Sequence, residues 1–78
     1  MIQNISDDFY KFDSRHKALS FAQSWSNNEN CYIAVIDSFN AVADAHTYFI
    51  EKSVGILRNG EKLIAEFENG FNLTKGSY

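Results

Sequence analysis

Three side chains that are able to bind a metal ion lie close together in the sequence, namely Asp37, Asp44 and His46. Carboxylate and imidazole groups are common metal ligands, but a metal site needs three or four of them to converge, with neighbouring groups that orient them. A short polar loop supplies three such residues by composition alone. We therefore expect two acids of a turn and a histidine at the edge of a strand, and no metal site.

Cys31 is the single cysteine, so the sequence has no internal disulfide framework and suits a reducing compartment. A nucleophilic cysteine needs a neighbouring base and an accessible, electropositive setting. Cys31 instead opens the apolar run CYIAVID, where a free thiol packs as a small hydrophobic group. The sequence also lacks a glycine-rich phosphate loop and a serine-nucleophile motif. These features predict a protein that is not an enzyme and uses no cofactor.

The composition is that of a small globular protein. The 78 residues are 45% hydrophobic and 22% charged, which predicts one globular domain over residues 1–78. The net charge of −3 argues against a general phosphate-binding protein, which would carry a basic surplus. The first residues lack the basic and apolar regions of a signal peptide, and no apolar run reaches the roughly 18 residues of a membrane span. We therefore expect a cytoplasmic protein.

The first half of the chain predicts a strand, a helix and a second strand. Met1–Asp8 is expected to be a lead-in without regular structure, and Phe9–Phe12 to be a short strand. After N-cap residues at Asp13-Ser14, a helix is predicted over Ser14–Ser26, because apolar residues recur at helical spacing: Ala18, Phe21, Ala22 and Trp25. Cys31–Asp37 is a predicted strand with apolar residues on both faces. It is either covered on both sides or has one face left for a partner.

The segment Ser38–Ala45 allows two interpretations. We favour a loop, because Asn40 and Asp44 are turn residues and strand formers follow in His46–Lys52. A second helix over these residues is the alternative.

Two Asn-Gly pairs, ten residues apart, predict β-hairpins. Asn59-Gly60 is expected to join strands Val54–Arg58 and Glu61–Glu68, with Ile56 opposite Leu63. That register gathers apolar residues on one face of the hairpin and leaves Ile64 on the other: Val54, Ile56, Leu63, Ala65 and Phe67.

The second pair, Asn69-Gly70, is expected to turn the chain into a short edge strand, Phe71–Thr74. Residues 61–68 also contain good helix formers, so a helix that ends at Gly70 is the alternative. Together the segments predict an α+β fold in two layers. One helix packs on a mainly antiparallel sheet of four or five strands, in the order β-α-β-β-β-β.

Aromatic residues provide the main indication of function. Seven Phe, four Tyr and one Trp are more rings than a two-layer fold of this size hides easily, and exposed rings surrounded by polar residues are typical of protein interfaces. We therefore predict a protein-binding surface with four apolar anchors: Tyr32, Phe39, Tyr48 and Phe71. Charged residues are expected at its rim: Arg15, Lys17, Glu66 and Glu68. A homodimer is an alternative use of the same residues.

A small nucleic-acid-binding protein is the other alternative. Lys11, Arg15 and Lys17, with Tyr10 nearby, could form a basic and aromatic patch on which bases stack. The acidic strands and the absence of the sequence pattern of sheet-type RNA-binding modules count against this function.

The stretch Tyr48–Gly70 resembles a segment found in small accessory proteins of phages and mobile elements, in which a strand and a short turn precede a hairpin like ILRNGEKLIAEFENG. The resemblance covers about a third of the chain and carries no functional motif, so no site residue follows from it. It implies a protein that binds and occludes a host protein or complex, as small anti-defence inhibitors such as anti-CRISPR proteins do.

Overall fold

The computed structural model describes residues 3–6 and 9–73, which form one helix and one antiparallel sheet. The expected α+β class is confirmed. The sheet has a further strand near the N-terminus, where the sequence predicted no regular structure. In chain order the elements are β1 (Gln3–Ser6), β2 (Phe9–Phe12), α1 (Arg15–Glu29), β3 (Tyr32–Asn40), β4 (Ala45–Glu51), β5 (Glu61–Glu68) and β6 (Phe71–Asn72). Thr74 of the predicted last strand lies outside the described residues.

The strands lie in the order β1-β2-β4-β3-β5-β6, and each is antiparallel to its neighbours. Because β2 and β3 both run antiparallel to β4, they are parallel to each other, and α1 connects them across β4. We term the sheet face that α1 covers the helix face, and the opposite one the far face. β3 lies between β4 and β5, so the chain must cross β3 to pass from one to the other.

The helix begins and ends at residues suited to those positions. The Ser14 side chain accepts a hydrogen bond from the N–H of Lys17, as an N-cap does. The helix continues to Glu29, three residues beyond the predicted end at Ser26. Asn30 closes it in the left-handed conformation, with its N–H bonded to the Ser26 carbonyl. Trp25 Nε1 donates to Glu29 Oε2 at 2.8 Å, which stabilises the added turn.

The core lies between α1 and the helix face. The predicted apolar stripe of the helix faces it, and the strands contribute alternate residues. Its buried members are Phe12, Ala18, Ala22, Trp25, Ile33, Val35, Tyr48, Ile50, Ile64, Ala65 and Phe67.

A β-bulge in β5 corrects the predicted position of Ile64. Val35 pairs with Ala65, but Ile36 pairs with Leu63, so Ile64 is an extra residue in the ladder. Such an insertion breaks the strict alternation of faces. Ile64 and Ala65 are therefore both buried in the core, and the expectation that Ile64 lies on the opposite face is wrong.

The predicted hairpin across Asn59-Gly60 does not form. Residues 61–68 are a strand, as favoured over a helix, but this strand pairs with β3 and β6, and residues 54–58 are in no strand. β3 is nine residues long and apolar on both faces, so pairing with it buries more of β5 than a five-residue partner could. The turn at Asn69-Gly70 does join two paired strands, as expected.

The loop predicted over residues 38–45 is present but shorter than expected. β3 extends to Asn40, β4 begins at Ala45, and residues 41–44 form the turn between them. The Asn40 side chain accepts hydrogen bonds from the N–H groups of Val42 and Ala43, and Asp44 is left-handed. Both turn residues on which the prediction depended therefore act as expected.

Ser26 ties the end of α1 to the two segments beside it. Its hydroxyl is buried, donates to the Cys31 carbonyl at 2.7 Å and accepts from the Gly70 N–H at 3.0 Å. The same side chain thus positions the entry into β3 and the turn between β5 and β6.

We expect Ser26→Ala to lower the free energy of unfolding by about 1–3 kcal/mol, because it leaves two backbone groups without their partner. Urea unfolding measures the change. Ser24→Ala, at an exposed position of the same helix, is the control and should stay within about 0.5 kcal/mol of the wild type. Equal effects of the two substitutions would show that the two hydrogen bonds of Ser26 add no stability.

Gly60→Ala should destabilise the protein by about 1–3 kcal/mol, because Gly60 has φ +87 and an added Cβ would lie 2.8 Å from the Phe39 carbonyl oxygen. Gly55→Ala is the matched control, since an added Cβ at Gly55 would meet no atom within 4 Å. Alanine also lowers the conformational entropy of the unfolded chain relative to glycine, which favours the folded state. Urea unfolding should show no loss of stability for Gly55→Ala. A neutral Gly60→Ala variant would contradict the close approach of the two segments.

Candidate functional site

Large apolar side chains remain exposed at three places in the described chain. Two, Phe39 and Val42, lie at the end of β3 and in the turn after it, and two more, Phe71 and Leu73, lie in and after β6. The remaining three lie on residues 52–60, which we term the crossover segment: Val54, Ile56 and Leu57. This segment carries the largest group of neighbouring exposed apolar residues.

The crossover segment lies on the far face because of the strand order. It leaves β4 at Glu51 and must cross β3 to reach β5 at Glu61. Its first residue, Lys52, places Nζ 3.1 Å from Glu29 Oε1. Its last residue, Gly60, accepts a hydrogen bond from the Phe39 N–H at 2.9 Å. The segment is thus held at both ends while its middle is exposed.

A cavity of about 270 Å³ lies between the crossover segment and the sheet. Ile36 of β3 and Phe49 of β4 line it from the sheet, on the face opposite the core. Glu51 and Glu61, at the two ends of the segment, are the acidic residues of its lining. The segment itself contributes Gly55, Ile56, Leu57 and Arg58.

Glu51 is the electrostatically unusual group of the cavity. Its carboxylate is half-buried and has no hydrogen bond or ion pair to any residue that the structure describes. Burial raises the pKa of Glu51, and the negative charge of Glu61 raises it further. Glu61 is held by the segment itself, because its Oε1 accepts a hydrogen bond from the Arg58 N–H at 2.8 Å.

The acidic surface continues along the far face. Ala34 of β3 pairs with Glu51 on one side and with Glu66 on the other, and Tyr32 pairs with Glu68. The Tyr32 hydroxyl donates to Glu66 Oε2 at 2.6 Å. Burial and this hydrogen bond raise the pKa of Tyr32, so the phenol stays neutral and serves as a donor.

The eight predicted binding residues do not form one surface. Tyr32, Glu66 and Glu68 lie together on the far face, as neighbours in the β3–β5 ladder. Phe71 is 73% exposed on edge strand β6. Arg15 and Lys17 are exposed on the first turn of α1, in the other layer of the fold.

The other two anchors, Phe39 and Tyr48, lie on either side of His46. The ring centroids of Phe39 and His46 are 4.8 Å apart, and those of His46 and Tyr48 are 6.2 Å apart. Tyr48 is only 9% exposed and belongs to the core, so its expected exposure is wrong. It is buried because it pairs with Phe12, under the beginning of the helix.

The premise of an aromatic surplus is also wrong for the described side chains. Of the rings whose burial is described, only Phe39 and Phe71 are exposed. Most of the others pack under the helix, Phe49 lines the cavity beneath the crossover segment, and Tyr32 is partly exposed on the far face. The exposed apolar surface is mostly aliphatic.

Of the two acids expected in a turn, Asp44 lies in the β3–β4 turn, whereas Asp37 lies within β3. His46 Nδ1 lies 2.7 Å from Asp37 Oδ1, and the two residues are diagonal neighbours in the β3–β4 ladder, where His46 pairs with Phe39. Over residues 3–6 and 9–73, no group of three or more His, Cys, Asp and Glu side chains is placed to hold a metal ion.

The basic patch is divided between two layers. Lys11 pairs with Phe49, so it lies on the far face, whereas Arg15 and Lys17 are on the helix. The Tyr10 ring packs against Phe21 and Trp25 at 4.8 and 5.1 Å. It is therefore not presented for stacking on a base.

Sequence reasoning missed the crossover segment because it placed Val54 and Ile56 on the buried face of a hairpin. The signal that could have identified the segment is in Cys31–Asp37, where both faces are apolar. A covering element on each face was one of the two interpretations of that pattern. The cover on the far face is the connection between β4 and β5.

We expect Glu51→Gln to raise the free energy of unfolding at neutral pH by less than about 1 kcal/mol, the range of partly exposed charges. The folded protein holds the Glu51 proton more tightly than the unfolded chain does, so wild-type stability falls as pH rises through the interval between the two pKa values. The gain should therefore vanish below pH ~4, near the unfolded pKa. Thermal unfolding of the wild type and of Glu51→Gln, at neutral pH and below pH ~4, measures the gain in stability. Glu68→Gln, at an exposed position, is the control. A gain that persists in acid would contradict this electrostatic origin.

No described helix is long and apolar enough to cross a membrane. Comparison of the chain with models of protein families, with curated proteins and with solved structures found no match. The description of the candidate site therefore depends on the geometry of this chain alone.

Proposed function

We propose that this protein is a small non-catalytic binding factor that docks through its far face on another protein and occludes a surface of that protein. The observation that carries the proposal is the exposure of Val54, Ile56 and Leu57 on one short segment. Contiguous exposed apolar surface of this kind marks interaction sites in folded proteins.

The energetics favour burial of the segment by a partner. Ile56 is 97% exposed, so folding gains almost nothing from its side chain. Full burial of an isoleucine side chain contributes about 1.5–3 kcal/mol. Val54 and Leu57 are partly exposed beside it, so an interface centred on Ile56 would gain from all three.

The surroundings of the segment have the composition of an interface rim. Acidic side chains lie around the apolar centre, and interfaces commonly combine an apolar core with a polar rim. They are Glu51, Glu61, Glu66 and Glu68. With a net charge of −3 on the whole chain, these residues favour a partner whose surface is basic.

The acidic rim also distinguishes a partner from a second copy of this chain. In a two-fold dimer the patch faces a second copy of itself, in which its four glutamates outnumber the cations described on the same face, Lys11 and Arg58. Like charges placed opposite each other oppose binding. We therefore propose a heterologous partner.

The class of partner follows from the resemblance of Tyr48–Gly70 to small proteins of phages and mobile elements. We propose a host defence protein or complex in the host cytoplasm, such as the target of an anti-CRISPR protein. Inhibition would result from coverage of a functional surface, with no turnover by this protein.

The test is capture of a partner by matched variants. Ile56→Ser removes the most exposed apolar side chain of the segment. Val42→Ser removes one that is 99% exposed in the β3–β4 turn and is the control, since neither residue supports the fold. Wild type and Val42→Ser should retain one protein in stoichiometric amount from nuclease-treated host lysate, and Ile56→Ser should bind the purified partner at least about tenfold more weakly.

Equal capture by Ile56→Ser and the wild type would contradict the proposed surface. Capture of nucleic acid in the absence of nuclease, with no protein partner, would favour the alternative function. Sedimentation of the isolated protein as a monomer is expected, and a stable dimer that Ile56→Ser dissociates would replace the proposed partner with a second copy.

A further inference from the structure

We infer that the cavity under the crossover segment accepts an arginine side chain of the partner, with its guanidinium between Glu51 and Glu61. The inference rests on the proposed function and names the chemistry by which the far face would recognise its partner. Three features of the cavity carry it: its size, its apolar lining and its two carboxylates.

The size of the cavity suits a single side chain. Its volume of about 270 Å³ is below the range of about 300–1,000 Å³ that small-molecule pockets occupy. Ile56 lines it and is 97% exposed, so the cavity adjoins the centre of the proposed interface. A side chain that projects from a docked partner could therefore enter it without rearrangement of the sheet.

The lining matches the two parts of a long basic side chain. Ile36, Phe49 and Leu57 offer apolar surface to an aliphatic stem. Glu51 and Glu61 offer carboxylates to the charged head. Long basic side chains bury their stems on apolar surface while the head finds polar partners.

The two carboxylates are not neutralised within the described structure. The Arg58 guanidinium forms no ion pair with either of them in that part of the chain, although its backbone holds one oxygen of Glu61. Glu51 bears the cost of burial beside another negative charge, which is why its pKa is raised. A guanidinium has five donors in a planar fork and can bind both carboxylates at once.

Charge complementarity therefore selects the occupant. An apolar side chain would fill the same space but would exclude water from Glu51 without providing a partner, which costs free energy. A metal ion would find two carboxylates and no third ligand among the described residues.

The test uses N-acetyl-L-arginine amide as the probe and N-acetyl-L-citrulline amide as its neutral control of the same shape. In amide NMR spectra of the ¹⁵N-labelled protein, the arginine probe should shift the signals of Gly55, Ile56, Leu57 and Glu61 saturably. The dissociation constant expected for one amino acid is about 1–10 mM. The citrulline probe should cause no saturable shift.

Two variants assign the binding to the cavity. Glu51→Gln should weaken binding of the arginine probe at least about tenfold, the effect of losing a charge-assisted pair. Glu68→Gln removes the same charge from an exposed position of the far face and should leave binding unchanged. The carboxyl ¹³C signal of Glu51, followed against pH, should show a lower pKa with the arginine probe present.

Three results would overturn the inference: equal shifts with the citrulline probe, equal losses in Glu51→Gln and Glu68→Gln, or an arginine response spread over all acidic residues. Its failure is distinguishable from failure of the proposed function. Partner capture that depends on Ile56, with no response to the arginine probe, would refute only the inference that the cavity binds arginine. A saturable response to the probe without a captured partner would refute the docking function alone.

Discussion

The central position of β3 is the constraint on which the rest of this structure depends. β3 pairs with β4 on one side and with β5 on the other, and its residues are apolar toward both faces of the sheet. Ile33 and Val35 need a cover on the helix face, while Ala34 and Ile36 need one on the far face. The helix provides the first. A nine-residue connection without regular structure provides the second, because the chain must pass over β3 to bring β4 and β5 to its two edges.

This arrangement explains why the far face carries both the exposed apolar residues and the unusual carboxylate. An irregular segment of this length can cover only some of its side chains, so Ile56 stays 97% exposed while Leu57 is 38% exposed. Glu51 and Glu61 are the strand ends from which the segment departs and to which it returns. Glu51 is half-buried there, and burial raises its pKa.

The two Asn-Gly turns show how far the fold could be predicted from the sequence. Both pairs lie between runs that alternate apolar and polar residues, and both have a glycine with positive φ. Asn69 also has positive φ, as a type I′ hairpin turn requires at both residues, whereas Asn59 does not. Only Asn69-Gly70 joins neighbouring strands. The difference is not local: residues 61–68 had a better partner in β3, which lies twenty or more residues earlier in the chain. Local signals identified strands, helix and turns, whereas the pairing of β5 was decided by competition between distant segments.

The candidate site was less predictable than the fold, for the same reason. Tyr32, Glu66 and Glu68 lie together on the far face. Of the four rings expected at the centre of the site, Tyr48 is buried in the core and Phe39 and Phe71 are exposed on other elements, while an aliphatic segment carries the largest group of exposed apolar residues. Whether Val54 and Ile56 are buried depends on which strand pairs with β5. The apolar pattern of residues 54–58 does not indicate which strand that is. An aliphatic centre bordered by glutamates is selective in a way that exposed rings are not. In the docking that we propose, the surplus of glutamates would oppose a second copy of the same chain and favour a partner with a basic surface.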